Sequence, residues 1–297
     1  MSMSALLARD RRVPTNAVPR CLVLPVLLAL AGPPACAAGL GFPPADPIYA
    51  IDLWREAEGL PQSRVRAIVQ THDGYIWLGT DGGAVRFNGA GFRAFTVETG
   101  SLKENEVWAL QEDDEHALWI GTYGGGLTRL KEGRFKTFTT ADGLPDDVVT
   151  RIEKDSSGDL WIATSSGFSR YSHGRFTRTE VPGRPTVAGR DAICAHSPRG
   201  VFVSTGSEVL RLSDGRFEPL GGLVQAGDGS IERLTCAADG SLWIGFSNGA
   251  IKNWKNGRAD IFTPQQGPAA QITLLYEDPS GGVWAAFGDN SETLAPN

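Results

Sequence analysis

Cysteine, histidine and methionine are scarce in this 297-residue sequence, with four, four and two copies. Only Cys194 and Cys236 lie beyond residue 38, and two cysteines cannot form the framework of a small disulfide-stapled domain. Beyond residue 38 no apolar run approaches the roughly 20 residues that cross a bilayer. The sequence therefore excludes a disulfide scaffold and a protein with several membrane helices.

The first 38 residues differ from the rest of the chain. An apolar run from Cys21 to Ala31 is followed by Pro33-Pro34 and then Ala35-Cys36-Ala37, and four arginines precede the run. This order is typical of a secretory signal peptide, and a run of about 11 residues is too short for a permanent membrane helix. We predict a signal peptide over residues 1–38, a mature chain that starts near Ala38 or Gly39, and a linker over residues 39–47.

The mature chain is acidic. Loss of residues 1–38 removes four arginines and one aspartate, which changes the net charge of −6 to −9. Such a chain repels nucleic-acid phosphates and anionic membrane surfaces. The expected location is the periplasm or another exported compartment, with neither nucleic acid nor a direct membrane contact as a partner.

Glycine and tryptophan are abundant, with 37 and 8 copies, and the tryptophans mark a repeat. Segments such as Leu118-Trp119-Ile120-Gly121-Thr122 recur with aromatic anchors 41 or 42 residues apart. A repeat of this length, with four short strands joined by tight turns, is typical of a β-propeller blade. The sequence predicts an all-β propeller of four-stranded antiparallel blades over residues 48–297, with about six repeats and a truncated last blade. Six anchors mark the repeats: Trp77, Trp119, Trp161, Phe202, Trp243 and Trp284.

These anchors are expected to be core residues. Consecutive apolar residues around each anchor require both faces of the strand to be covered, as they are when a blade lies between two others. Each tryptophan that is buried removes about 150–250 Å² from water. The first five blades also have a basic residue in the third strand, at Arg86, Arg129, Arg170, Arg211 and Lys252.

The repeat resembles that of the two-component regulator propeller family. The resemblance lies in Gly59-Leu60-Pro61, Asp73-Gly74, Ile76-Trp77-Leu78-Gly79-Thr80 and Arg86-Phe87, and Gly143-Leu144-Pro145 opens the third repeat in the same way. It covers about Ile48 to Ala286. It implies the exported sensory part of a bacterial receptor, whose output domain is a histidine kinase or a diguanylate cyclase.

The resemblance also implies a seven-bladed ring, a membrane anchor and a receptor that can dimerise. Here the last blade has only two strands, and the segment Ile48–Arg55 aligns with a fourth strand that should complete the final blade. We therefore expect an incomplete seven-bladed ring, from a truncated product or a fragment. The chain itself is expected to bind a small polar ligand such as an oligosaccharide, and not to be an enzyme.

Other chemistry finds little support in the sequence. All four histidines are expected in separate hairpin turns of the lower face, which argues against a metal site: His72, His116, His173 and His196. The acidic run from Glu112 to Glu115 lacks the spacing of a calcium loop and is interpreted as a solvated turn. The glycine-rich turns open onto strands and offer no helix terminus for phosphate. No cofactor and no catalytic triad are predicted.

Cys194 and Cys236 fall in the first strands of neighbouring blades, one position apart in register. Because successive strand positions point to opposite faces, we expect two buried thiols in preference to a disulfide bond.

Recognition is expected where two kinds of loop converge at the mouth of the central channel, which we call the upper face. One kind leads into each first strand and the other joins the second strand to the third. Their polar and aromatic residues suit a sugar-like ligand. The candidate binding residues are Arg64, Lys103, Asn105, Asp146 and Asp147 from the first kind, and Asp81, Tyr123, Ser165 and Ser166 from the second.

Two alternatives stay open. Streptogramin-type lyases have similar repeats, although a lyase would need a catalytic base on the upper face, where no histidine is expected. A protein-interaction scaffold is the other alternative.

Overall fold

The computed structural model describes residues 5–9, 50–54, 56, 59–179, 181, 193–197, 200–213, 215–262, 272–277 and 281–287. Helical structure in these ranges is limited to short 3-10 turns such as Thr140–Asp142. None of the helices in the described part of the chain has the length and apolarity that a bilayer crossing requires. The expectations of a signal peptide and a linker fall largely on residues outside these ranges.

Five four-stranded antiparallel sheets follow one another along the chain, and each is one blade of a propeller. Blade one has β3 (Val65–Gln70), β4 (Ile76–Thr80), β5 (Gly83–Phe87) and β6 (Phe92–Phe95). Blade two has β7 (Val107–Glu112), β8 (Leu118–Thr122), β9 (Leu127–Lys131) and β10 (Arg134–Phe138). Blade three has β11 (Val149–Lys154), β12 (Leu160–Thr164), β13 (Gly167–Ser172) and β14 (Arg175–Thr179). Blade four has β15 (Ile193–Ser197), β16 (Gly200–Ser204), β17 (Val209–Ser213) and β18 (Arg216–Pro219). Blade five has β19 (Ile231–Cys236), β20 (Leu242–Phe246), β21 (Ile251–Lys255) and β22 (Arg258–Phe262).

Two further sheets have two described strands each. Blade six consists of β23 (Ile272–Glu277) and β24 (Val283–Phe287). At the other end, β1 (Ala5–Arg9) pairs with β2 (Ala50–Trp54). β1 lies within the segment predicted to be a signal peptide, so cleavage there would remove this pairing. The predicted all-β fold of four-stranded antiparallel propeller blades is confirmed.

Two-residue turns join the third and fourth strands of several blades. Glu132-Gly133, His173-Gly174 and Asn256-Gly257 all have positive φ at both positions. This is the backbone of a type I′ hairpin, whose twist matches that of the strands it joins. These turns and the turns between first and second strands lie at one edge of the blades, the lower face.

The hydrophobic core lies between blades. The first strands of successive blades are side by side, so apolar side chains of one sheet pack on the next. Trp119 of blade two, for example, shares a cluster with Val149 and Ile162 of blade three. Four anchors are fully buried, namely Trp77, Trp119, Trp161 and Phe202, whereas Trp243 and Trp284 are half-buried.

The glycine two positions after the anchor tryptophan allows this packing. A Cβ atom at Gly121 would lie 2.5 Å from Cγ1 of Val149, and one at Gly79 would lie 2.8 Å from Cγ1 of Val107. Both distances are far inside van der Waals contact, so a side chain here would push the next blade away. In blades one, two and five the Trp-x-Gly pattern therefore lets the next blade approach closely.

The basic residue of the third strand lies opposite the anchor in four blades. Arg86 pairs in register with Trp77, and Arg129 and Arg170 hold the same place beside their own anchors. In blade five Lys252 does lie in the third strand, as predicted, but the residue opposite Trp243 is its neighbour Asn253. Because side chains alternate along a strand, Lys252 faces the other way. It is 2% exposed, and its Nζ is 2.5 Å from Oδ2 of Asp228.

The two cysteines form a disulfide bond, so the expectation of free thiols was wrong. Cys194 in β15 and Cys236 in β19 have Cα atoms 5.9 Å apart. The forward face of one blade meets the backward face of the next. Residues that touch across this interface therefore differ by one position in register, and the offset that argued against a bond is what brings the sulfurs together.

The described ends of the propeller leave apolar side chains exposed. Ile68 in β3 is 55% exposed, whereas its equivalent Ile152 in blade three is 3% exposed. Tyr276 in β23 is 51% exposed. Ile68 lies on the face of blade one that would meet a preceding blade, and Tyr276 on the face of blade six that would meet a following one. These are the faces that a closed ring would cover.

Candidate functional site

Two positions of the repeat bring polar and aromatic side chains together on the upper face. One lies in the first strand, 11 residues before the anchor, and the other follows the second strand, four residues after the anchor. In blade one these are Arg66 and Asp81, and in blade two Trp108 and Tyr123. With two neighbours that precede the first strands, they form what we call the rim cluster: Arg64, Arg66, Asp81, Glu106, Trp108 and Tyr123.

Arg66 is the centre of the rim cluster. Its Nε is 2.5 Å from Oδ1 of Asp81 within blade one, and its Nη2 is 2.7 Å from Oε1 of Glu106 in blade two. The Arg66 side chain is only 17% exposed, so these charge-assisted hydrogen bonds are partly shielded from water. Arg64 adds a longer contact of 3.7 Å to Asp81 and is itself 62% exposed. Arg66 therefore links two blades.

The aromatic part of the rim cluster belongs to blade two. The indole Nε1 of Trp108 donates to Oε1 of Glu106 at 2.9 Å, and the guanidinium of Arg66 lies 5.0 Å from the indole centroid. The ring of Tyr123 stacks on that of Trp108 with the ring centroids 4.8 Å apart, and Tyr123 remains 48% exposed. An exposed aromatic face thus stands beside ionised hydrogen-bonding groups.

Blade three supplies a smaller polar group on the same face. Asp146 Oδ2 accepts hydrogen bonds from the hydroxyls of Ser165 at 2.7 Å and Ser166 at 2.6 Å. Partial burial acts to raise the pKa of Asp146, but these hydroxyl hydrogen bonds outweigh it and leave the pKa below its ordinary value. This carboxylate is therefore ionised at neutral pH.

The other predicted site residues have different places. Asn105 holds the preceding loop, because its Oδ1 accepts from the backbone N–H of Val97 at 2.8 Å. Asp147 likewise holds the loop between β10 and β11, because its Oδ1 accepts a hydrogen bond from the backbone N–H of Thr140 at 2.7 Å. Lys103 is exposed. The structure thus brings Arg64, Asp81 and Tyr123 together, and groups Asp146 with both serines, while Asn105 and Asp147 brace loops.

Sequence reasoning missed three members of the rim cluster: Arg66, Glu106 and Trp108. The first strands were interpreted as apolar segments, and these residues lie within them or directly before them. A signal was present, because the residue 11 positions before the anchor changes chemistry between blades. It is Arg66, Trp108, Thr150 and Glu232 in blades one, two, three and five. A position that varies while its neighbours stay apolar indicates a functional surface.

The lower face also differs from expectation. The acidic run is not merely a solvated turn: Asp113 Oδ2 accepts from the Trp119 indole at 2.7 Å, Asp114 pairs with Lys154, and Glu115 pairs with Arg129 and Lys131. His72 and His116 do not sit apart, because the two rings stack with centroids 3.7 Å apart. His196 lies within β15 and not in a turn. The expectation of separate histidine turns was therefore wrong.

Comparison with known proteins identifies the repeat. The sequence model described as two component regulator propeller matches residues 59–82, 101–124 and 143–166. Each match runs from the loop that precedes a first strand to the turn that follows a second strand, so it spans the upper-face loops of blades one, two and three. A search of curated proteins finds no match.

Solved structures share the fold at low sequence identity. Virginiamycin B lyase from Staphylococcus aureus is 15% identical with a TM-score of 0.65, and the alignment covers 80% of this chain and 82% of the lyase. The extracellular domain of what is described as a hybrid two component system from B. thetaiotaomicron is 19% identical with a TM-score of 0.66. That alignment covers 79% of this chain and 34% of the receptor domain.

A further domain from B. thetaiotaomicron, described as the extracellular domain of a one component system, is 20% identical with a TM-score of 0.65. The alignment covers 80% of this chain, which spans 35% of that domain. At these identities the likeness shows the fold alone. What the sequence model shows beyond the fold is that blades one, two and three each contain a copy of the two component regulator propeller repeat.

Proposed function

We propose that this chain is the ligand-binding sensory propeller of a bacterial signalling receptor, and that the rim cluster binds a polar ligand such as an oligosaccharide. The repeat family and the extracellular domains of similar fold support the sensory role. The observation that carries the proposal is the stacked Trp108–Tyr123 pair beside the Arg66 ion pairs.

The chemistry of the rim cluster suits a sugar. A pyranose ring offers an apolar face to an aromatic side chain and hydroxyls to charged neighbours. Tyr123 is 48% exposed and stacks on Trp108, so its ring is accessible to a ligand while Trp108 holds it in place. Asp81, Glu106 and Arg66 provide acceptors and donors that their mutual ion pairs hold in place. Fixed groups of this kind lower the entropic cost of binding.

Export and membrane attachment complete the proposal. The predicted signal peptide would deliver the chain to the periplasm, and the Cys194–Cys236 bond is of a kind that persists in oxidising compartments. Signalling would require a membrane anchor and a histidine kinase or diguanylate cyclase in the parent receptor, where the propeller could also dimerise. In this proposal the propeller itself is not catalytic.

A lyase is the second candidate, because virginiamycin B lyase shares the fold. One of its solved forms is a catalytically inactive variant in which histidine is replaced by alanine, bound to quinupristin. In this chain His72, His116 and His173 lie in lower-face turns. The described upper face contains no histidine. This distribution favours the sensory proposal over a lyase, and a scaffold function would leave the rim cluster without a small ligand.

Calorimetric titration with a panel of oligosaccharides tests the proposal. We expect one class to bind, and Tyr123→Ala and Trp108→Ala to weaken it at least about tenfold, because stacking on the sugar face is lost. Tyr276→Ala is the matched control, since it removes an equally exposed tyrosine from β23. Turnover of quinupristin would support the lyase instead. A ligand whose affinity is unchanged in both rim variants would refute the assignment of the site.

A further inference from the structure

Two histidines and a glutamate converge on the lower face, at the opposite edge of the blades from the rim cluster. His72 belongs to the turn between β3 and β4 of blade one, Glu112 ends β7 of blade two, and His116 belongs to the turn after it. The Nδ1 atom of His72 is 2.6 Å from Oε1 of Glu112. One ligand atom from each side chain lies within 4.8 Å of the other two.

Glu112 is held in position by the backbone. The N–H of His72 donates to Oε2 of Glu112 at 2.9 Å and to Oε1 at 3.2 Å. The same contact recurs between blades five and six, where Oε2 of Glu277 accepts from the N–H of Ala238 at 2.7 Å. The carboxylate is thus placed by the regular stacking of blades, and what distinguishes blades one and two is the pair of imidazoles beside it.

His116 occupies a backbone position that favours glycine. Its φ is +61°, and the residue three positions before the anchor is glycine with φ between +80° and +88° in four other blades, at Gly74, Gly158, Gly240 and Gly281. A residue with a Cβ atom adopts this left-handed conformation less readily than glycine, because the Cβ atom crowds the following carbonyl oxygen. Residues held in such conformations cluster at functional sites. The imidazole of His116 is thereby directed onto that of His72.

We propose that His72, Glu112 and His116 form a Zn²⁺ site. Two imidazoles and one carboxylate are a ligand set that zinc favours, and a zinc ion with three protein ligands keeps a fourth position open. Ligand atoms of a tetrahedral zinc ion stand about 3.4 Å apart. The His72–Glu112 pair would open from 2.6 Å, and the widest pair, which is within 4.8 Å, would close by at most about 1.4 Å. His72 is 48% exposed and can rotate to do so. Its hydrogen bond to Glu112 would be exchanged for a shared bond to the metal.

The open position would face a groove between blades one and two. This groove has a volume of about 560 Å³ and is lined by all three proposed ligands together with Trp77 and Phe135. It provides an entry path for the ion and room for water or a ligand group in the fourth position. Because the ligands come from two blades, bound zinc would clamp blade one onto blade two.

The experiment compares substitutions at two histidines whose backbone φ is positive, His116 and His173. His116→Gly restores the glycine of the other blades and removes one ligand, so it should fold at least as well as the parent without metal. His173→Gly is the control, because His173 also has a positive φ, of +49°, and lies on the lower face outside the cluster. The chain is purified without a polyhistidine tag and stripped with a chelator.

Zinc titration should give one site in the parent and in His173→Gly, and affinity at least about tenfold lower in His116→Gly and in His72→Ala. At a hundredfold excess over Kd, zinc should raise the melting midpoint of the parent by about 5 °C. Mg²⁺, which prefers oxygen ligands, should have no effect. Equal zinc affinity in His116→Gly, or no binding by the parent, would overturn the proposal.

Discussion

Cys194 on the first strand of blade four is bonded to Cys236 on the first strand of blade five. The two residues are 42 positions apart, one repeat, so the bond ties equivalent strands of neighbouring blades. A loop of this length has many unfolded conformations that the bond excludes. The chain-entropy relation gives about 4 kcal/mol of stabilisation for such a loop.

Reduction of this bond should therefore destabilise the propeller. We expect Cys194→Ser to lower the free energy of unfolding by about 2–4 kcal/mol. Denaturant unfolding of the oxidised parent and the variant measures the difference. Reductant should lower the stability of the parent and leave that of the variant unchanged. If the oxidised and reduced parent unfold at the same midpoint, the bond does not stabilise the chain.

A second prediction concerns the carboxylate beside the anchor tryptophan. Trp119 is fully buried, and its indole Nε1 donates to Oδ2 of Asp113 at 2.7 Å. Blade three repeats the arrangement with Trp161 and Asp155 at 2.8 Å. We expect Trp119→Ala to lower the free energy of unfolding by about 3–5 kcal/mol. Trp119→Phe should cost about 1–3 kcal/mol, because the Asp113 carboxylate loses a partner.

The hydrogen bond can be isolated by a double-mutant cycle of Trp119→Phe with Asp113→Asn, followed by denaturant unfolding. Coupling of at least about 0.5 kcal/mol is expected. In blade five the residue six positions before Trp243 is Ala237, which has no carboxylate. Trp243→Phe should therefore cost less than Trp119→Phe. Equal costs in the two blades would show that ring volume alone matters.

The fold was predictable from the sequence because each recurring residue of the repeat has a single physical role. Trp119 fills the space between blades, and Gly121 lets the next blade approach. These roles depend on local pattern and period alone. Contacts between blades were harder to predict from the sequence. They depend on which face of a strand in one blade meets which face of a strand in the next blade.

The Cys194–Cys236 bond and the His72–His116 stack are both contacts of this second kind, across a blade interface. Each joins residues about one repeat apart, but with an offset in register. Alignment of equivalent positions cannot place such pairs, because the partners are not equivalent. Part of the candidate site on the upper face was predictable for the opposite reason, since Asp81 and Tyr123 hold the same position in successive repeats.

A third prediction concerns how the free energy of unfolding falls at acidic pH. Hydrogen bonds from the Lys255 ammonium and from Ser241 lower the pKa of Asp239 from 3.8 to about 2. Because this pKa is lower in the folded chain, the contribution is present above the unfolded pKa of 3.8 and is lost as pH falls through about 2. Asp239→Asn should therefore be less stable than the parent at neutral pH, and the two should converge between about pH 4 and pH 2.

The size of this effect should be modest. Lys255 and Asp239 are 43% and 54% exposed, so water and salt screen the pair, and exposed pairs contribute about 1 kcal/mol or less. Unfolding curves at several pH values, at low and at high salt, make the test. The difference between parent and Asp239→Asn should shrink in high salt. A difference that persists at pH 2 would assign the effect to something other than this carboxylate.

The last prediction compares one repeat position in two blades. Ile68 and Ile152 both lie nine residues before an anchor tryptophan, yet Ile68 is 55% exposed and Ile152 is 3% exposed. Ile152→Ser leaves a cavity and a buried hydroxyl, so we expect a loss of about 3 kcal/mol or more. Ile68→Ser should change stability by no more than about 0.5 kcal/mol, as at other surface positions.

The same pair of substitutions tests how the ring is completed. In a longer chain whose added strands form a blade beside blade one, Ile68 would become an interface residue like Ile152. The cost of Ile68→Ser should then rise toward that of Ile152→Ser, and the melting midpoint of the parent should rise because exposed apolar faces are covered. Equal costs for the two substitutions in the present chain would mean that Ile68 is already covered, which contradicts the open edge seen here.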